Sequence, residues 1–330
     1  MPRSGDASGR LLGHDRRVRR LAATVAALAA VLTLAGGSAR ALRLPAARTC
    51  PIFPATNAWN QRVDDLPVAP DSARLIASIG LDAHAHADFG SGLWDGGPIG
   101  IPFDVVTSKT PRVHVSFEYA DESDRVRYPI PKSVHIEGGR TAGGDRHAIL
   151  IDRDTCRLYE LYALYPTSGG GWKAGSGAVW NLRSNHLRPA GWTSADAAGL
   201  PIFPGLVRYD EVARGVIDHA LRFTAPRTRQ AYVYPARHFA SDSSDPSLPP
   251  MGLRVRLKAS VDISGFPPQA RVVLTAMKRY GMILADNGSP WYVSGAPDPR
   301  WSNDDLHSLD RLTGADFEVV DTSSLPHPGG

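Results

Sequence analysis

The sequence predicts an α+β fold, a single mixed domain around a predominantly antiparallel β-sheet. Short alternating apolar segments recur from residue 101 onward, few helical stripes interrupt them, and the regular strand–helix–strand alternation of a parallel α/β protein is missing. A β-sandwich decorated by helices is the nearest rival; an apolar helix expected over residues 269–285 makes a pure sandwich less comfortable. Neither a repeat nor a linker divides the chain. Residues 42–330 are therefore read as one domain, opened by a proline-rich strap.

Residues 1–41 read as a signal peptide. Arg16, Arg17, Arg19 and Arg20 form a basic start, Leu21 to Gly37 is apolar, and Ser38-Ala39-Arg40-Ala41 puts small residues at a cleavage site. A retained membrane anchor is the alternative for that apolar run. The leader carries seven arginines against Asp6 and Asp15, so the net charge of +4 falls to about −1 once it is removed. The basic character belongs to the leader, and no Lys/Arg block is left to track a phosphate backbone. Nucleic acid is excluded as a partner on that ground, and no membrane contact is expected after cleavage. In an oxidising compartment the two cysteines, Cys50 and Cys156, are expected to pair.

Along the mature chain, Pro51, Pro54, Pro67 and Pro70 make residues 42–70 an irregular strap. A short helix is expected over 71–78, with Asp71 as its cap and Gly80 as its end. Residues 84–100 have loop composition. Strands follow at 103–106 and around Val113, Val115 and Phe117, and a short extended piece at 128–131. The clearest hairpin runs from Ala148 to Ile151, turns on Asp152-Arg153-Asp154-Thr155, and returns over 156–162. On the returning strand Leu158, Glu160 and Tyr162 share a face, so Glu160 is presented beside apolar neighbours. Further strands are expected at 178–182, 231–234, 253–257, 291–293 and 317–320, and helices over 210–221 and 269–285.

Three groups of residues carry chemistry. His84, His86 and Asp88 alternate, so an extended backbone would turn two imidazoles and a carboxylate to one side, an open divalent-metal set. The two-spaced histidines resemble the first metal-ligand pair of the amidohydrolase barrels. That resemblance covers His84 and His86 and implies a metal-activated water. The second group surrounds the hairpin: Glu137 and Glu160 as paired carboxylates, with His147 looking into a cleft. The third is His219, His238 and Asp286, with Arg208 or Arg237 available to hold an acidic sugar.

Lysine-bearing phosphate loops, Gly-x-Ser-x-Gly elbows and His-Glu-x-x-His helices do not occur. Export, loop tryptophans (Trp94, Trp172, Trp192, Trp291) and acid–base groups point to a secreted carbohydrate-active enzyme. The leading expectation is a glycoside hydrolase acting on an extracellular polysaccharide or cell-envelope glycan, with Glu137, Glu160, His147 and His238 as its catalytic groups. It requires no cofactor. A polysaccharide lyase is a mechanistic variant. The alternatives are a non-catalytic glycan-binding protein, or a hydrolase built on a divalent metal at His84, His86 and Asp88.

Overall fold

The hairpin read from residues 146–164 lies at the centre of one of two main sheets. In the computed structural model, which describes residues 42–329, the predicted leader lies outside the described residues. The strands are β1 His86–Asp88, β2 Leu93–Trp94, β3 Gly97–Pro98, β4 Phe103–Val106, β5 Val115–Phe117, β6 Ala148–Asp152, β7 Arg157–Tyr162 and β8 Tyr165–Pro166. They continue with β9 Trp172–Ala174, β10 Ser176–Asn181, β11 Leu221–Ala225, β12 Arg254–Leu257, β13 Met282–Asn287, β14 Tyr292–Ser294 and β15 Phe317–Val319. Four α-helices accompany them: α1 Ser72–Gly80, α2 Tyr209–Ala213, α3 Pro268–Arg279 and α4 Asn303–His307. Among the described residues sheets dominate, no barrel closes, and the mixed α+β expectation holds.

One sheet runs β10-β7-β6-β4 and the other β1-β14-β11-β13-β12-β15. A three-stranded sheet, β5-β9-β8, and the small hairpin β2-β3 complete the set. In the hairpin Ile149 pairs with Glu160 and Ile151 with Leu158. Period-two alternation sorts its side chains onto two cores. Ile149, Ile151 and Leu158 meet the strap residues Leu42, Leu44, Ile52 and Phe53 together with Ile202 and Phe203. Ala148, Leu150, Tyr159 and Leu161 face Tyr128, Ile130, Val134 and Ile136 instead. Glu160 thus points into the first core, as its spacing predicts.

The strap is fastened by charge and by a covalent bond. Arg254 on β12 donates to the carbonyls of Ala58, Gln61 and Tyr280. Its neighbour two residues on, Arg256, donates to the carbonyls of Val63 and Leu66 and pairs with Glu318. Burial pushes the Arg254 guanidinium down to about 9, because carbonyl dipoles rather than a carboxylate surround it. The expected Cys50–Cys156 disulfide is present, closing a separation of 106 residues with Cα atoms 5.2 Å apart. Chain-entropy reasoning gives a loop of that length up to ~4–5 kcal/mol.

Several elements differ from expectation. The helix expected over 269–285 is α3 and stops at Arg279. Gly281 sits at φ +66°, where a Cβ would run into the Val255 carbonyl, and its N–H returns to Ala276 O. The apolar run beyond it, Met282 to Ala285, is β13 at the centre of the large sheet. The helix over 210–221 shrinks to α2, because Gly215 at φ +79° ends it, and the chain re-emerges as β11. Residues 231–234 make only a Tyr232–Met251 bridge, and 128–131 only a Val113–Tyr128 bridge. The Asp71 carboxylate does not cap α1 but pairs with Arg74. None of the described helices is long and apolar enough to cross a membrane.

Candidate functional site

His147 enters the seam between the two main sheets one residue before β6, on the face that carries Ile149 and Ile151. Its ring is buried and holds two acceptors. Nδ1 lies 2.6 Å from Glu137 Oε2, and Nε2 lies 3.0 Å from the Ala195 carbonyl. A carbonyl only accepts, so Nε2 must carry a proton, and the imidazolium form lets Nδ1 donate to the carboxylate as well. Burial alone would lower this histidine, but the Glu137 charge and hydrogen bond outweigh it and raise it to about 9. Glu137 responds in the opposite sense. Its desolvation is overcome by the His147 charge and by hydrogen bonds from the His147 ring and backbone, and its carboxyl is held below the usual range. Glu137 N–H also donates to His147 O at 2.9 Å. The pair therefore closes the neck of the glycine-rich loop 138–146.

Glu137 opens onto a cleft of about 710 Å³, lined by His86, Asp88, Trp94, Gly138, Tyr292 and His307 among others. Asp88, at the end of β1, is open to solvent through the mouth of this cleft. The cleft walls desolvate it, the Glu137 charge opposes its ionisation, and its carboxyl is raised despite His86 and Arg222. The two carboxyls of one cleft are thereby shifted in opposite directions, Asp88 upward and Glu137 downward. The rim is formed by close backbone approach: a Cβ on Gly97, in the small hairpin, would overlap Gly138. That hairpin holds Trp94 79% exposed at the edge of the cleft, and His86 lies on the Tyr292 ring at 4.4 Å.

Behind the cleft, β11 and β13 supply a second set of charges. Arg222 Nε and Nη2 grip both oxygens of Asp196 at 2.9 and 2.8 Å, and Nη2 also reaches Asp286 at 2.9 Å. Arg222 Nη1 donates to Ser294 Oγ. Burial disfavours this guanidinium, but Asp196, Asp286 and Glu137 more than compensate and hold it protonated. Burial and the Asp196 charge raise Asp286 against the pull of Arg222. Asp286 and Asp196 line a second cavity of about 390 Å³, with Tyr119, Glu122, Asp145, Tyr162 and His238.

The expected residues are distributed unevenly. Glu137 and His147 come together, but Glu160 does not join them at the cleft. It is fully buried, its Oε2 and Oε1 accepting from the backbone N–H groups of Ile202 (2.9 Å) and Phe203 (2.8 Å). Burial overrides those two donors and pushes Glu160 up to about 8. His238 lines the second cavity, its Nδ1 2.7 Å from Ala197 O and its Nε2 3.9 Å from Glu122. Of the expected metal set, His86 and Asp88 face the cleft while His84 turns to the Asp310 carbonyl at 2.6 Å. No group of three metal-ligating side chains converges among the described residues. The amidohydrolase likeness of His84 and His86 does not extend to the fold either, since β1 pairs with β14 at the edge of an open mixed sheet.

Arg208 is sealed against Glu211, His219 and Phe203 O, and Arg237 donates to Arg188 O. Arg208 is thereby committed internally, while Arg237 is half-buried and lines neither cavity, so neither residue forms the expected uronate clamp there. Of the tryptophans, Trp94 alone lines the cleft. Trp291 is fully buried, stacked between Phe223 and Phe317 with its N–H on Gly80 O. Trp192 lies against Arg188, and Trp172 packs onto the second hairpin core. Sequence reasoning singled out Asp286 but missed Asp196 and Arg222, and so the network that joins the three. The signal for Arg222 is a charged residue between Leu221 and Phe223 in an otherwise apolar segment.

No family model, no curated protein and no solved structure matches this chain.

Proposed function

We propose that the protein is an exported glycoside hydrolase whose acid–base pair is Asp88 and Glu137. The observation that carries this reading is the placement of the two carboxyls in one cleft under opposite influences, the His147 charge on Glu137 and a desolvating wall on Asp88. Glycosidic cleavage uses such a pair. Asp88, protonated, donates to the leaving glycosidic oxygen as the C–O bond breaks. Glu137, ionised, attacks the anomeric carbon or takes a proton from the water that does. His147 is a positioning residue: it touches Glu137, holds its orientation and keeps it charged. Trp94 at the rim and the His86–Tyr292 pair offer flat surfaces for sugar rings. Glu160, sealed under residues 202–203, has no part in the chemistry. The disulfide and the leader-like residues 1–41 support an extracytoplasmic location.

The test is release of reducing ends from neutral polysaccharides by the wild type, Asp88→Asn and Glu137→Gln. Removing a general acid or its partner is expected to cost about 10²–10⁴-fold in rate, with melting temperatures close to that of the wild type for Asp88→Asn. Binding of the same glycans without any turnover would instead favour a non-catalytic glycan-binding protein.

A further inference from the structure

The second cavity lies on the far side of the loop that carries Glu137. Gly144 lines the larger cleft and the next residue, Asp145, lines the smaller one. The divider between them is bare: a Cβ on Gly143 or Gly144 would meet open space. It is also anchored from below, where Arg146 donates to the carbonyls of Gly139 and Ala142. Both cavities rest on the same buried charges, since Arg222 grips Asp286 in the smaller one and its field reaches Glu137 and Asp88 in the larger.

From this we infer that the smaller cavity is a further sugar-binding subsite, so that the ligand is an extended, non-acidic glycan chain crossing the glycine divider. The inference rests on the hydrolase reading for the role of the larger cleft. The walls of the smaller cavity are those of a sugar subsite, with the phenols of Tyr119 and Tyr162, the His238 imidazole and the Asn287 amide offering both ring faces and hydrogen bonds. Charge fixes the chemical class. The residues lining the two cavities include no lysine or arginine, while Asp88, Asp95, Glu137, Glu122, Asp145 and Asp286 are all carboxyls. The cations beneath them are already engaged, Arg222 by Asp196 and Asp286 and the His147 imidazolium by Glu137. A polyuronate or sulfated chain would meet carboxyls and no unengaged lysine or arginine along this path. Neutral hexose and pentose chains, or N-acetylated ones, carry no charge that needs one.

Calorimetric titration with cello-, xylo-, manno- and N-acetylchitooligosaccharides of two to eight units tests this, with oligogalacturonate as the acidic control. At least one neutral series should bind more tightly as it lengthens enough to fill both cavities. The double variant Tyr119→Ala/His238→Ala should weaken the longest oligomers about tenfold and leave the shortest binding oligomer unchanged. Glu137→Gln should keep the same length dependence whether or not the wild type shows turnover, so failure of the hydrolase reading is scored separately. Absence of binding by every neutral series, equal losses for short and long oligomers, or tighter binding of oligogalacturonate would each overturn the inference. Circular dichroism of the double variant guards against misfolding. If it is unfolded, Glu122→Gln, which keeps an acceptor for Thr193 N–H, carries the same comparison.

Discussion

Glu137 and Glu160 are the same side chain in two regions of one seam, and their surroundings give them opposite characters. At the cleft floor Glu137 meets a buried imidazolium that two acceptors keep charged, so it stays ionised where solvent and ligand can reach it. Deeper in, Glu160 meets only two backbone amides, and burial pushes it up to about 8. Amide donors favour a carboxylate, but they carry no net charge and do not offset complete desolvation here. A charged partner at the cleft floor keeps a carboxylate ionised and accessible; dipoles in the interior leave one buried and raised.

The comparison can be broken most forcefully through the charges beneath the cleft. Arg222→Met would leave Asp196, whose side chain has no exposure, without its cation. Loss of one partner from a buried pair costs about 3–5 kcal/mol, and chemical denaturation should register a loss of that size. A cost under about 1 kcal/mol would mean that the buried pair contributes no more than an exposed one.

The pH dependence sharpens the contrast next. His147 is raised from 6.5 to about 9 on folding, so its contribution is fully present below about pH 6.5 and is lost as pH rises through 9. The shift corresponds to on the order of 3 kcal/mol. Glu137 is lowered, so its contribution is present above about pH 4.5 and is lost as pH falls through its folded value. Glu160, raised from 4.5 to about 8, works in the same direction as His147: stability declines as pH rises between those values. Melting temperature should therefore be highest near pH 4.5 and fall towards pH 9, more steeply above pH 6.5 where His147 adds to Glu160, and the upper limb should flatten in His147→Gln. A wild-type optimum above pH 8 would contradict the assignment of His147 as an imidazolium.

A smaller effect is expected at Glu160 itself. Glu160→Gln keeps one oxygen for Ile202 or Phe203 but sets an NH2 group against the other amide, and an unsatisfied buried donor costs about 1–3 kcal/mol. Turnover at saturating substrate should survive in the folded fraction. Loss of turnover without loss of stability would return Glu160 to the chemistry and undo the distinction between the two glutamates.

How much of this was legible in the sequence depends on how far each contact reaches along the chain. The 148–162 hairpin was readable because its alternation and its Asp152–Thr155 turn are local, and the inward direction of Glu160 followed from its spacing. What covers Glu160 was not readable, since the lid is the backbone of residues 202–203, from a stretch whose glycines and prolines predict only a loop. Asp88 stood out beside His84 and His86, but as a metal ligand. The other carboxyl of its cleft, Glu137, lies about fifty residues away and is brought near by tertiary packing rather than by any local pattern. The end of α3 shows the limit on helices: Val272 to Leu284 is nearly continuous in apolar character, and the left-handed turn at Gly281 separates helix from strand. Trp291 illustrates the same limit for aromatics, because a tryptophan next to a turn has the same local signature whether it lines a groove or, as here, fills a core between Phe223 and Phe317.

The opposite shifts of Asp88 and Glu137 can be measured without any substrate, by NMR titration of ¹³C-labelled carboxyl groups, with Asp88→Asn and Glu137→Gln assigning the two signals. The expected result is one carboxyl that titrates above the ordinary carboxylate range, vanishing in Asp88→Asn, and one that titrates below it, vanishing in Glu137→Gln. Two carboxyls that titrate together in the ordinary range, or in the reverse order, would contradict the acid–base pair on which the proposed chemistry stands.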